Sequence, residues 1–148
     1  MPHSYIAVCF DLFGTLVDDD ARAMSGAAEA LALLAPHRVA IVTSAPRASA
    51  RGMLAHAGLV APSVLITADD VVRGKPSPEP YALAARRMEI DPSLILVVED
   101  SASGVDAAHG AGMDAAFVLR GRSASVCPRA DYYVRDLAAV AGIIRGGP

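Results

Sequence analysis

Three things are scarce in this 148-residue chain: cysteine, blocks of basic charge, and apolar runs long enough to cross a bilayer. The two cysteines, Cys9 and Cys127, stand far apart and form no C-x-x-C pair. That excludes a disulfide scaffold and suits a reduced compartment, so the cytoplasm is the expected location. Lysine and arginine number 13 against 16 aspartates and glutamates, for a net charge of −3 with no basic cluster. Neither nucleic acid nor an anionic membrane is therefore expected as a partner. The opening MPHSYIAVCF lacks a basic start followed by a long apolar core, so no signal peptide and no spanning segment are expected. His3, His37, His56 and His109 share no metal-ligand spacing. Internal repeats and low-complexity linkers are absent as well, and a single domain over residues 1–148 is the expectation.

Apolar residues are plentiful: 53% of the chain is hydrophobic and only 20% charged, a balance incompatible with disorder. A domain of this length buries roughly 70% of its extended surface. Apolar runs alternate with helical patterns. YIAVCF, RVAIVTS, SVLIT, LILVVE, DAAFVL and DYYV read as strands. Between and after them, GAAEALALLA (with Ser25 as N-cap and Pro36 beyond its end), RASARGMLAHAG, SPEPYALAARRMEI, ASGVDAAHGAG and DLAAVAGIIR read as helices. Strands that are apolar on both faces and joined by helices imply an α/β fold, a parallel sheet covered on both sides.

In such a sheet ligands gather beyond the carboxyl ends of the strands, so chemistry belongs just after each apolar run. Those positions hold Asp11 after the first strand, Thr43 and Ser44 after the second, and Glu99 and Asp100 after the fourth, while Lys75 opens the helix that follows the third. Acids, a hydroxyl and a lysine brought to one edge suit phosphoryl transfer. One carboxylate can act as nucleophile, the others can hold Mg²⁺, and the hydroxyl and ammonium can hold phosphate oxygens.

Four segments in order, DLFGTLVD, IVTSAP, GKPSPEPY and VVEDSASGVDAAHGAGM, resemble the haloacid dehalogenase superfamily in its phosphohydrolase branch. The last two look particularly like those of sugar- and polyol-phosphate phosphatases and the related β-phosphoglucomutases. The resemblance runs from about residue 6 to residue 118 and implies a Rossmann-like three-layer sandwich. It further implies that Asp11 is a nucleophile forming an aspartyl-phosphate and that Thr43, with Ser44 close by, binds the phosphoryl group. Lys75 would neutralise nucleophile and phosphate, and Gly14 would offer its backbone N–H. Mg²⁺ would be held by Asp11, Asp100, Glu99 and the carbonyl of Phe13, unless Glu99 serves as an orienting acid behind the ligands.

The chain departs from that pattern twice. Phe13 stands where the branch's phosphatases carry a second Asp, which protonates the leaving oxygen and activates water. Such general acid–base help is worth about 10²–10⁴-fold. Dehalogenases carry an aromatic residue there, but the Glu99–Asp100 pair points back to metal-assisted phosphate chemistry. Secondly, thirty-two positions separate Asp11 from Thr43 and thirty-two more separate Thr43 from Lys75. Core elements use those residues, so no cap domain is expected. A capless site is either open to a large phosphorylated substrate or covered by another subunit of a homo-oligomer.

A Mg²⁺-dependent hydrolase of phosphate monoesters is thus the leading reading. A catalytically weak phosphate- and metal-binding module and a dehalogenase-type hydrolase stand as alternatives. A phosphoacceptor switch fits less well, because its acidic pair precedes the phosphorylated Asp. The run Asp18, Asp19 and Asp20 reads as a solvated turn, since no calcium-loop Gly or distal Glu follows it. Arg47 reads as a surface or site-entrance residue and Cys9 as a small core residue.

Overall fold

The computed structural model describes residues 4–146, which leaves His3 outside the described residues. Its sheet has six parallel strands: β1 Ala7–Phe10, β2 Val39–Val42, β3 Val64–Ile66, β4 Ile95–Glu99, β5 Asp114–Val118 and β6 Tyr132–Val134. The strand order is β3-β2-β1-β4-β5-β6. Helices α1 Ala27–Leu31, α2 Arg47–Ala57, α3 Glu79–Met88, α4 Ala102–Gly110 and α5 Val140–Ile144 complete a three-layer sandwich.

Side-chain alternation along the strands sorts the core into two halves. Val8 and Phe10, Val39 and Ile41, Leu96 and Val98, and Ala116 and Val118 point to the face covered by α1, α2 and α5. Ala7 and Cys9, Ala40 and Val42, Ile95 and Val97, and Ala115 and Phe117 point to the face covered by α3 and α4. Cys9 is a fully buried core residue, and burial pushes its thiol up to about 12.

The chain runs outward from β1 through β2 to β3, then returns to place β4 on the other side of β1. That reversal leaves a crevice at the carboxyl ends of β1 and β4, where the sheet's topology favours a ligand. The segments that could have carried a cap are filled by the core. Between Asp11 and Thr43 lie a short hairpin bridged through Val17 and Ala23, helix α1, and a 3-10 turn over Pro36–Arg38. In the hairpin tip, the Asp18 carboxylate accepts from the backbone N–H groups of Asp20 and Arg22.

Both ends of α1 and the start of the last helix differ from the sequence reading. Ser25 does not cap α1: Gly26 precedes the helix at φ 83 with no side-chain cap, and the helix ends at Leu31 rather than near Ala35. Ala35 is extended, at φ −55 and ψ 146, as a residue before proline prefers, while Leu33 and Leu34 turn to pack against the core. The last helix begins instead as a 3-10 turn over Leu137–Ala139, with the Asp136 carboxylate accepting from Ala138 N–H.

Candidate active site

β1 and β4 run in parallel register, with Phe10 beside Val98, so the next residues, Asp11 and Glu99, stand side by side and point toward α3. Asp11 N–H donates to the Val98 carbonyl at 3.0 Å, extending the ladder by one residue before the chain turns away. Lys75 reaches the same point from the loop before α3. Its ammonium donates to Asp11 Oδ1 at 2.8 Å, to Glu99 Oε1 at 2.6 Å and to the Val42 carbonyl at 3.0 Å. These three contacts use all three of its N–H donors. Burial works against the Lys75 charge, but Asp11 and Glu99 outweigh it and hold the ammonium above the usual lysine range.

The acids carry the opposite imbalance. Burial raises Asp11 above the ordinary carboxylate range despite Lys75. It raises Glu99, with the Asp11 charge adding to the effect, and it raises Asp100, with the Glu99 charge adding. Carboxylate oxygens of Asp11, Glu99 and Asp100 all lie within 4.8 Å of one another. Three acids against one contacting ammonium, with hard oxygen donors only, fit a small divalent cation such as Mg²⁺. The Phe13 carbonyl accepts no hydrogen bond among the described residues and is available as a further oxygen donor.

An open cavity of about 460 Å³ gathers Asp11, Phe13, Thr43, Ser44, Lys75 and Asp100, six of the eight residues singled out from the sequence, together with Ala45, Met53, Ser101 and Ser103. Thr43 is buried and its Oγ1 accepts from Ala45 N–H at 3.2 Å. The Phe13 ring is 51% exposed at the cavity wall. Arg47 does not line this cavity; it ties α2 to β3 through the Leu65 carbonyl and to the turn beyond β3 through the Asp70 carboxylate.

The remaining two residues stand outside the cavity lining. Gly14 was expected to present its N–H to phosphate, but that N–H is spent on the Val17 carbonyl at 2.8 Å. What Gly14 supplies is room: it sits at φ 85, and a Cβ there would meet Asp100 Oδ2 at 2.1 Å. Glu99 lies behind Lys75 with no exposed surface.

Four contributors escaped the sequence reading. Tyr81, wholly buried on α3, donates its hydroxyl to Glu99 Oε1 at 2.6 Å. Gly104 on α4 leaves the space that Glu99 fills, since a Cβ there would meet Glu99 Cδ at 1.9 Å. Arg120, at φ 51 beyond β5, donates to the Gly14 carbonyl at 3.0 Å and lies 4.0 Å from Asp100 Oδ2. Ser101 caps α4, accepting from Gly104 N–H at 3.1 Å and donating to Glu99 Oε2 at 3.3 Å. Tyr81 and Gly104 fall inside the quoted segments GKPSPEPY and VVEDSASGVDAAHGAGM, six residues after Lys75 and five after Glu99. That fixed spacing was the available signal.

A parallel sheet with a carboxylate at its β1–β4 switch point, met by a lysine and a second acid, defines a Rossmann-like enzyme of the kind that handles anionic substrates. The chain belongs to the haloacid dehalogenase-like hydrolases: the model of that family matches residues 17–112. It is 38% identical to the validoxylamine A 7'-phosphate phosphatase of Streptomyces hygroscopicus subsp. limoneus, over 93% of this chain and 68% of that protein. It is 45% identical to hexitol phosphatase A of Escherichia coli (strain K12), over 49% of this chain and 34% of that one. In three dimensions it is similar to a HAD phosphatase from Thermococcus onnurineus, with TM-score 0.82 and 21% identity over 95% of this chain and 98% of that one, a likeness of fold alone.

Proposed function

We propose that this hydrolase is a Mg²⁺-dependent phosphatase of phosphate monoesters on small phosphorylated carbohydrates, working through an aspartyl-phosphate at Asp11. The observation that carries the reading is the meeting of Asp11, Thr43, Lys75 and Asp100 in one cavity at the sheet's switch point. The names of the relatives, a validoxylamine A 7'-phosphate phosphatase and a hexitol phosphatase, support the substrate class.

Lys75 holds Asp11 Oδ1, and Thr15 Oγ1 donates to Oδ2 at 3.4 Å. An Asp11 oxygen attacks phosphorus, and the bond from phosphorus to the leaving oxygen breaks, its electron pair departing with the alkoxide. Thr43, with Ser44 beside it, would orient the phosphoryl oxygens. Water then attacks the same phosphorus, and the bond to Asp11 breaks to return the carboxylate and release inorganic phosphate. Asp11, Asp100 and the Phe13 carbonyl would hold Mg²⁺, whose chemistry is to neutralise the charge on the phosphoryl group.

One observation favours a second, slower version of this reading. The titratable groups lining the cavity are Asp11, Lys75 and Asp100, each already committed to attack, charge balance or cation binding. Phe13 offers no proton, so a binding module with weak turnover shares the same geometry.

Phosphate release from a panel of sugar and polyol phosphates and p-nitrophenyl phosphate, with and without Mg²⁺, tests the reading, with halide release from 2-chloropropionate as a parallel arm. Mg²⁺-dependent phosphate release that disappears in Asp11→Asn is expected. Mg²⁺-dependent binding of phosphate without release identifies the module, and halide release without metal overturns the phosphatase.

A further inference from the structure

We propose that Glu99 and Tyr81 are positioning residues that fix the Lys75 ammonium against Asp11, and that the cation is held by Asp11 and Asp100 without Glu99. The proposal deepens the phosphatase reading, on which its kinetic test rests.

The Glu99 carboxylate has about four lone-pair sites, two on each oxygen. Oε1 accepts from Lys75 Nζ at 2.6 Å and from Tyr81 hydroxyl at 2.6 Å. Oε2 accepts from Asp100 N–H at 3.3 Å and from Ser101 hydroxyl at 3.3 Å. Four donors therefore fill the group, and a cation could reach it only by displacing one of them. The strong bonds are those to Lys75 and Tyr81, both on the oxygen that faces α3. Proximity to Asp11 and Asp100 places Glu99 within reach of a shared ion, but its hydrogen bonding is that of a group already committed.

Tyr81 completes the clamp from the side away from the cavity. Lys75 Nζ lies 5.2 Å from the centre of its ring, so the same residue meets the ammonium with its π-face and the carboxylate with its hydroxyl. Gly104 leaves the pocket in which the longer acid sits. On the cavity side the Lys75 side chain is only 6% exposed. Held on three sides, the ammonium fixes the rotamer of Asp11. Attack on phosphorus needs that orientation, which gives Glu99 and Tyr81 a role in rate without contact with substrate.

Two variants test this without changing the charge of the cluster. Tyr81→Phe removes one donor from Glu99 and keeps the ring under Lys75. Glu99→Asp keeps the anion but withdraws it by one methylene. Mg²⁺ affinity is read by titration calorimetry with MgCl₂ and turnover by p-nitrophenyl phosphate kinetics at saturating Mg²⁺, with Asp100→Asn as the variant that loses a ligand. For Glu99→Asp a fall in kcat of about 10- to 100-fold is expected, and for Tyr81→Phe about threefold or more, with KM and the Mg²⁺ Kd each within about twofold of the parent. Asp100→Asn raises the Mg²⁺ Kd by about tenfold or more.

A Mg²⁺ Kd in Glu99→Asp as weak as in Asp100→Asn overturns the proposal, because Glu99 is then a ligand. Parental kcat in both test variants also overturns it, because the clamp then positions nothing. If Glu99→Asp fails to fold, Tyr81→Phe decides by the same split between kcat and Mg²⁺ affinity. A parent protein that releases no phosphate fails the phosphatase reading alone; the Mg²⁺ titrations still separate a liganding Glu99 from a positioning one.

Discussion

Phe13 sits on the cavity wall, half exposed, at the position where the resemblance implies a proton-donating acid. Its cost depends on the leaving group. A phenolate departs without a proton, whereas a sugar alkoxide needs one. Phe13→Asp is therefore expected to raise turnover of sugar phosphates by about 10²-fold or more and to matter less for p-nitrophenyl phosphate. Steady-state kinetics on both substrates check this, and equal gains on the two would mean that the new carboxylate acts on water rather than on the leaving oxygen. At this scale the sequence singled out residues that the structure gathers at one cavity but not which contacts they make. Asp11, Thr43 and Asp100 were legible because each follows an apolar run, and Lys75 because it stands ahead of the helix after the third strand. The link from Tyr81 to Glu99 depends on the register of β1 against β4 and on the packing of α3, neither of which is written in spacing along one chain. The Gly14 N–H was assigned to a ligand, whereas the hairpin itself consumes it.

The strands were easy to read and the helix ends were not, for a physical reason. A strand buried on both faces must be apolar throughout, so β1, β2 and β4 announce themselves. Helix termini answer to local backbone choices that tertiary packing overrides, as at α1, where Leu33 and Leu34 leave the helix to reach the core. α3 ends on such a choice. Glu89 closes it at φ 57, with its N–H donating to the Arg86 carbonyl and the N–H of Ile90 donating to the Ala85 carbonyl. A left-handed residue with a Cβ is strained there, and glycine relieves the strain. Glu89→Gly is expected to stabilise the protein by about 0.5–1 kcal/mol, read as a higher midpoint in chemical denaturation with an unchanged slope. An unchanged or lower midpoint would mean that the unfolded chain gains as much freedom from glycine as the turn gains in comfort.

For the molecule as a whole, the site is a store of unfavourable charge. Asp11, Glu99 and Asp100 all have folded pKa values raised above the ordinary range, burial being the largest cause for each. For acids shifted upward, the contribution to stability is full below their unfolded values and is lost as pH rises through the folded ones. On the proposed reading Mg²⁺ would bind Asp11 and Asp100 in their ionised forms, so its stabilising effect would grow over the same interval. The rise in Tm on adding Mg²⁺ is expected to be larger at about pH 8 than at about pH 5. Taking the difference with and without Mg²⁺ removes the opposite trend from Asp70, Asp91 and Glu79, whose values are lowered. An equal rise at both pH values would place the cation elsewhere. The hairpin beside this site has a further bearing on how the fold can change. Val17 bridges Phe13 on one side and Ala23 on the other, so the chain is already fastened before it enters the tip at Asp18–Arg22. Whatever is spliced into the tip leaves that fastening untouched, and the entropy of a longer loop grows only with the logarithm of its length. The tip is thus a socket, where a grafted module could be seated while the sheet and its carboxylates stay as they are.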